Sequence, residues 1–182
     1  MAEAVELTTD RLVLRQWRPE DVEPFVAMNA DPQVMAYFAA TLPRVESELF
    51  LARIQQAWDR DGFGLWAVAR REDGAWLGMT GLAAPSFEAP FTPCVEVGWR
   101  YPVGAWGHGY ATEAARAAVA FGFETLGLAE ILSWTTVANQ RSRAVMERIG
   151  MTHDPADDFD HPRLPVGHPI RPHVLYRLAR PA

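Results

Sequence analysis

Cysteine is almost missing from this chain. Cys94 stands alone, so no intrachain disulfide can form, and a reducing compartment is expected. Positive charge is also short: 17 basic residues face 23 acidic ones, a net charge of -6. A nucleic-acid-binding surface would carry the opposite sign. No run of about eighteen apolar residues occurs, and the start, MAEAVELTTD, lacks a basic region followed by an apolar segment. The expectation is a soluble, cytoplasmic protein with no nucleic-acid or membrane partner. Repeats, low-complexity tracts and linkers are lacking too, so residues 1–182 read as a single domain. That length encloses a core without help from a metal. On so acidic a chain, a phosphorylated ligand must be held locally, by backbone N–H groups or a few arginines. The negative surface gives a weak tilt toward a cationic substrate such as an amine.

What is present alternates between strand and helix signals. Arg11–Trp17 (RLVLRQW) has the period of a half-buried strand. Pro19 opens a helix, with Glu20, Asp21 and Glu23 suited to its positive end. Residues Arg44–Arg60 read as a second helix, with Val45, Leu49, Phe50, Ile54, Ala57 and Trp58 as its apolar face. Phe63–Arg70 and Ala75–Ala83 form a strand pair around the turn Glu72-Asp73-Gly74. Cys94–Tyr101 is a strand that Pro102 closes. An alanine-rich helix spans Thr112–Leu126, a strand Glu130–Val137, and a short helix Asn139–Ile149 ended by Gly150. Two strand-like pieces, parted by a proline- and histidine-rich loop, follow Met151. This order predicts a mixed α/β (α+β) sheet and not a regular doubly wound one.

The stretch Trp106-Gly107-His108-Gly109-Tyr110-Ala111-Thr112-Glu113-Ala114 falls between a strand and a helix. A helix start carries unpaired N–H groups and partial positive charge, and glycines let the backbone approach an anion. A P-loop would need Lys-Ser/Thr where Tyr110-Ala111 stands. A dinucleotide loop would need a third glycine or alanine at Thr112 and an acidic residue at the end of the next strand, whereas Glu130 opens that strand. A glycine turn that only lets strand and helix pack is the third possibility.

These residues resemble the Q/R-x-x-G-x-G/A pyrophosphate loop of the GNAT N-acetyltransferase superfamily, in the branch containing the enzymes that acetylate ribosomal-protein N-termini at alanine or serine. Thr9-Asp10-Arg11-Leu12-Val13-Leu14-Arg15 resembles that branch's opening strand, and Val95-Glu96-Val97-Gly98-Trp99 its cofactor strand. Asn139-Gln140-Arg141-Ser142, with Gly150-Met151, resembles its last helix. The likeness spans residues 8–152. It implies a GNAT fold: one mostly antiparallel sheet of about seven strands, four helices, and a splayed parallel strand pair holding coenzyme A. It implies acetyl-CoA as co-substrate, no metal, and transfer of acetyl to a primary amine of a protein N-terminus or small molecule. The same fold could also serve as a non-catalytic acyl-CoA-binding sensor. A monomer or a homodimer fits equally.

By the same resemblance, the amides of Gly107, His108, Gly109, Tyr110, Ala111 and Thr112 hold the pyrophosphate. The strand ending at Tyr101 pairs with pantetheine, and Trp99 and Trp106 flank the slot. Amide formation needs a neutral amine, a donor for the oxyanion and a proton for the leaving thiolate. The resemblance assigns Asn139 to pantetheine, Ser142 to the cofactor sulfur as acid, and Glu96 to the base. Plain capping of the short helix also accounts for Asn139 and Ser142, and a solvated strand position for Glu96.

The tail carries Asp154, Asp157, Asp158, Asp160, His161, His168 and His173 among prolines. The spacing fits no metal-ligand pattern. Its carboxylates are expected either to border the acceptor mouth and attract a protonated amine, or to form a solvated loop.

Overall fold

A computed structural model describes residues 5–181. In chain order the elements are β1 (Leu7–Thr8), β2 (Leu12–Arg15), α1 (Val22–Ala30), α2 (Arg44–Asp61), β3 (Leu65–Arg70), β4 (Trp76–Ala83) and β5 (Glu96–Arg100). Then follow α3 (Tyr110–Glu124), β6 (Glu130–Thr136), α4 (Gln140–Arg148), β7 (Thr152–His153), β8 (Phe159–Asp160) and β9 (Pro172–Ala179). The sheet runs β1-β2-β3-β4-β5-β6-β9-β7, with β8 also paired to β9. Every pair is antiparallel except β5 with β6. The expected mixed, mostly antiparallel GNAT sheet with four helices is present; β1, β7 and β8 are two-residue additions too short to leave a periodic signal.

The alanines of α3 explain how that helix lies against the sheet. Ala114, Ala115 and Ala118 have no exposed surface. A Cβ at Gly122 would stand 2.7 Å from Ile131 Cδ1, so any side chain there would force its neighbours to shift. The close approach brings the N-terminus of α3 to the end of β5, where the site is built.

Two sequence expectations change in the fold. On α2 the buried residues are Ser47, Leu51, Ile54 and Trp58, whereas Val45 and Leu49 are 67% and 55% exposed. The helix is rotated toward Ser47, whose hydroxyl accepts from buried Asn29 Nδ2 at 3.3 Å, a contact that apolar periodicity cannot register. Asp21 does not stay at the solvated start of a helix. It is buried, receiving both Arg15 guanidinium nitrogens at 2.7 and 2.9 Å and the Arg18 amide at 2.8 Å. This pairing lets Arg15 lie inside, where an unpaired charge would cost several kcal/mol.

Candidate active site

Pro102 halts the pairing of β5, and a 3-10 turn over Val103–Ala105 leads into the glycine loop. Gly107 and Gly109 take φ of 79° and 80°, the left-handed region that β-carbons disfavour. A Cβ on Gly107 would meet nothing, and one on Gly109 only Arg11 Nη2 at 3.5 Å. The space above the loop is therefore open. From Gly107 through Thr112, no backbone N–H has an acceptor among the described residues; the ladder begins when Glu113 N–H donates to the Gly109 carbonyl at 3.0 Å. A row of free amides at the positive end of α3 is an anion cradle.

Side chains brace this loop from three directions. Trp106 Nε1 donates to the Tyr101 carbonyl at 2.8 Å, and Arg141 lies 4.3 Å over the Trp106 ring. Arg11 donates to the His108 carbonyl at 2.9 Å and, through Nε, to Glu113 at 2.7 Å. Glu113 also accepts from Thr9 Oγ1 at 2.6 Å, which ties the start of the chain to the helix. The His108 ring stacks on Tyr110, and His108 itself is not among the residues that line the cleft. Tyr101 is 5% exposed and its hydroxyl lies 2.7 Å from that of Thr80; its side chain anchors the loop from within the core.

Beside the loop the sheet divides. The β5–β6 register consists of one parallel position, Glu96 opposite Leu132, with Leu132 N–H donating to the Val95 carbonyl at 3.0 Å. One step on, the Val97 carbonyl accepts from Ser133 Oγ at 2.9 Å in place of a backbone amide. Alternation along a strand then sends the backbone polar groups of Trp99 toward the gap, with no partner on β6. On the far wall Asn139 caps α4: its Oδ1 accepts from Ser142 N–H at 3.3 Å. Its Nδ2 donates to Thr135 Oγ1 at 2.9 Å and to Ser142 Oγ at 3.1 Å. Capping is thus present, and Ser142 Oγ, as an acceptor in that contact, keeps its own proton free. Asn139, Ser142, Trp99 and Trp106 all line the same cleft.

That cleft, about 2070 Å³, is continuous from the amide cradle through the gap to the face of β5 that carries Glu96, Gly98 and Arg100. Glu96 accepts no hydrogen bond among the described residues, and burial pushes its carboxyl up to about 8. Arg100 donates from Nη1 to Asn29 Oδ1 at 2.6 Å, with Phe38 and Phe50 rings 4.2 and 5.5 Å from its guanidinium carbon. Across the cleft, Phe87, Phe91, Trp134, Phe159, His161 and His173 pack as an aromatic cluster. Burial holds both histidines below the ordinary imidazole value, His161 at about 4.

The tail loop reaches this face through His161, Arg163, Leu164, Ile170 and His173, and not through its aspartates. Asp154 caps a 3-10 turn, Asp157 accepts from Arg177 at 2.7 Å, Asp158 is hydrogen-bonded to His153 at 2.7 Å, and Asp160 accepts from Arg171 at 3.0 Å. The expected carboxylate mouth is therefore consumed in local pairs. Sequence reasoning passed over Arg100 and Ser133, and gave no role at the cleft to Arg141, His161 or His173. For Arg100 the available signal was a cation two residues from a glycine on the cofactor strand.

The fold and the cleft are those of an acyl-group transferase. A family model for the acetyltransferase (GNAT) domain matches residues 11–152, and the chain belongs to the GNAT family of acetyl-CoA-dependent acetyltransferases. FsC-acetyl coenzyme A-N(2)-transacetylase of Aspergillus fumigatus is 37% identical over 154 residues, or 81% of this chain; the chain spans 65% of that relative's length. An acetyltransferase from Agrobacterium tumefaciens matches with a TM-score of 0.78 at 29% identity, covering 98% of this chain and 96% of that one. The ribosomal-protein-S5-alanine acetyltransferase of Vibrio fischeri has the same fold, with a TM-score of 0.69 at 12% identity over 97% of each chain. No helix among the described residues is long and apolar enough to cross a membrane.

Proposed function

We propose that this chain transfers the acetyl group of acetyl-CoA directly to a primary amine within a ternary complex. The observation that carries the proposal is the continuity of the cleft, with free amides at one end and a titratable carboxyl at the other. The amides of Gly107–Thr112 hold the pyrophosphate, and Trp106 with Arg141 frames the entry. Pantetheine replaces the missing ladder along β5, pairing with the backbone at Trp99, while Asn139 orients it from α4. The Trp99 amide facing the gap serves as donor to the oxyanion.

The chemistry follows from these placements. The neutral amine nitrogen attacks the thioester carbonyl carbon, forming the C–N bond, and the C–S bond then breaks. Glu96, in its ionised form, removes the proton that nitrogen sheds, directly or through a water. Ser142 passes a proton to the leaving thiolate and regains one from solvent, to which Glu96 returns the proton it took. With Glu96 at about 8, the ionised fraction rises through that value, so turnover rises with it.

Thiol release from acetyl-CoA across a panel of amines tests the proposal. Amine-dependent release with a matching acetylated product is the expected result. Tight acetyl-CoA binding without release for any amine, including N-terminal peptides, amino acids, polyamines and aminoglycosides, would make the chain a binding protein on the same fold.

A further inference from the structure

Arg100 has no carboxylate for a partner. It forms no ion pair among the described residues; its Nε is sealed from solvent with no hydrogen-bond acceptor. Burial alone accounts for the lowering of its guanidinium to about 10. An arginine so placed is costly, because burial strips part of its hydration and no counter-ion offsets the loss. Two aromatic faces and one amide oxygen hold it in place, yet they leave most of its five N–H donors without an acceptor among the protein's described residues.

Its surroundings point the same way. Alternation along β5 sets Glu96, Gly98 and Arg100 on one face, spread over roughly 13 Å. Gly98 stands between them with no side chain, and a Cβ there would meet nothing within 4 Å. The middle of this row is thus a hollow next to the gap through which the thioester would arrive. Tyr37 and Phe38, 37% and 42% exposed, border the same hollow from the loop between α1 and α2. The second cation on this face, Arg163, has a guanidinium that donates to Ser86 and forms no ion pair among the described residues. The tail aspartates, which would favour a cationic acceptor, are spent elsewhere.

We infer that Arg100 is a specificity-determining residue that receives a carboxylate of the acceptor, so that the preferred amines are small amino-acid-like molecules bearing a free carboxylate. This rests on the acetyl-transfer proposal for the location of the amine. The amine sits over Gly98 near Glu96, and the carboxylate turns toward the Arg100 fork between Phe38 and Phe50. A guanidinium–carboxylate pair shielded from water is among the stronger charge-assisted contacts, and its planar geometry selects carboxylate over amide.

Calorimetry on the CoA-loaded protein, with N-acetylated amino acids and their carboxamides as matched product pairs, tests this without requiring turnover. Thiol release with the corresponding free amines runs in parallel. Carboxylates are expected to bind roughly tenfold or more tightly than their amides. Arg100→Met should abolish that preference, Arg100→Lys should keep part of it, and acetyl-CoA affinity should stay unchanged in both. Equal binding of acid and amide by the parent protein across the panel overturns the inference, whether or not either variant folds. A carboxylate preference that survives in Arg100→Met overturns it as well. Selective binding of carboxylates without any thiol release would instead fault the transfer proposal and leave the Arg100 site standing.

Discussion

Ser133 Oγ donates to the Val97 carbonyl at 2.9 Å at the point where β5 and β6 part. The hydroxyl satisfies a buried acceptor that a continuous parallel ladder would have used, and so terminates pairing without leaving an orphan. Ser133→Ala should remove about 1–3 kcal/mol of stability, since the carbonyl loses its partner while buried. Chemical denaturation measures the loss. A midpoint unchanged from the parent would show that the strands part for another reason.

Gly109→Val places a branched side chain on a backbone at φ of 80° and beneath the cradle. Strain of about 1–2 kcal/mol is expected, together with at least a tenfold loss of acetyl-CoA affinity as the phosphates are pushed off the amides, about 1.4 kcal/mol in binding. Titration calorimetry on folded variant protein reads the affinity directly, and an undiminished value would remove the pyrophosphate from this loop.

Ser142 and Asn139 should separate by what they change. Ser142→Ala is expected to lower kcat by roughly one to two orders of magnitude with little effect on acetyl-CoA binding, because its proton matters as the thiolate departs. Asn139→Ala should cost about 1 kcal/mol of stability through the lost cap and also weaken cofactor binding. Steady-state kinetics beside thermal melts distinguish them; normal turnover in Ser142→Ala would return that hydroxyl to the helix end.

Glu96 and His161 predict opposite stability slopes. Glu96 sits near 8 in the folded protein against an ordinary 4.5, so the folded state binds more protons and stability falls as pH rises between those values. His161 sits near 4 against an ordinary 6.5, so the unfolded state binds more protons and stability rises with pH across that window. Glu96→Gln should remove the first slope and flatten the rise of kcat/KM through about 8. His161→Gln should remove the second. Urea melts from pH 4 to 9 and a pH–rate profile supply both readings; slopes of the opposite sign would be incompatible with these burials.

Joint replacement of Asp157, Asp158 and Asp160 by asparagine should lower stability and leave acceptor KM unchanged at every salt concentration. Each carboxylate is tied to Arg177, His153 or Arg171 and lies off the cleft. A salt-dependent rise in acceptor KM would place these groups at the mouth after all.

The parts of the site legible in the sequence are those written locally. The glycine loop could be found because its two left-handed residues, the strand before it and the alanine helix after it lie within a short span. Asn139 and Ser142 were visible because a cap spans only four residues. Arg100 and Asn29 are 71 residues apart, and nothing in either neighbourhood marks their hydrogen bond. The aromatic cluster gathers Phe87, Trp134 and Phe159 from three separate segments. The tail aspartates misled for the same reason: composition shows the charges, but their partners on β7, β9 and the loop before it appear only after folding.

The single parallel position between β5 and β6 divides the sheet into two leaves. One is built wholly from the chain before Tyr101 and the other wholly from the chain after Ala129. Helix α3 crosses behind both like the spine of a book. Opening the leaves therefore breaks one backbone bridge and one serine hydroxyl contact, not a ladder. A rod-shaped ligand laid in the fold of the book would act as its missing stitch.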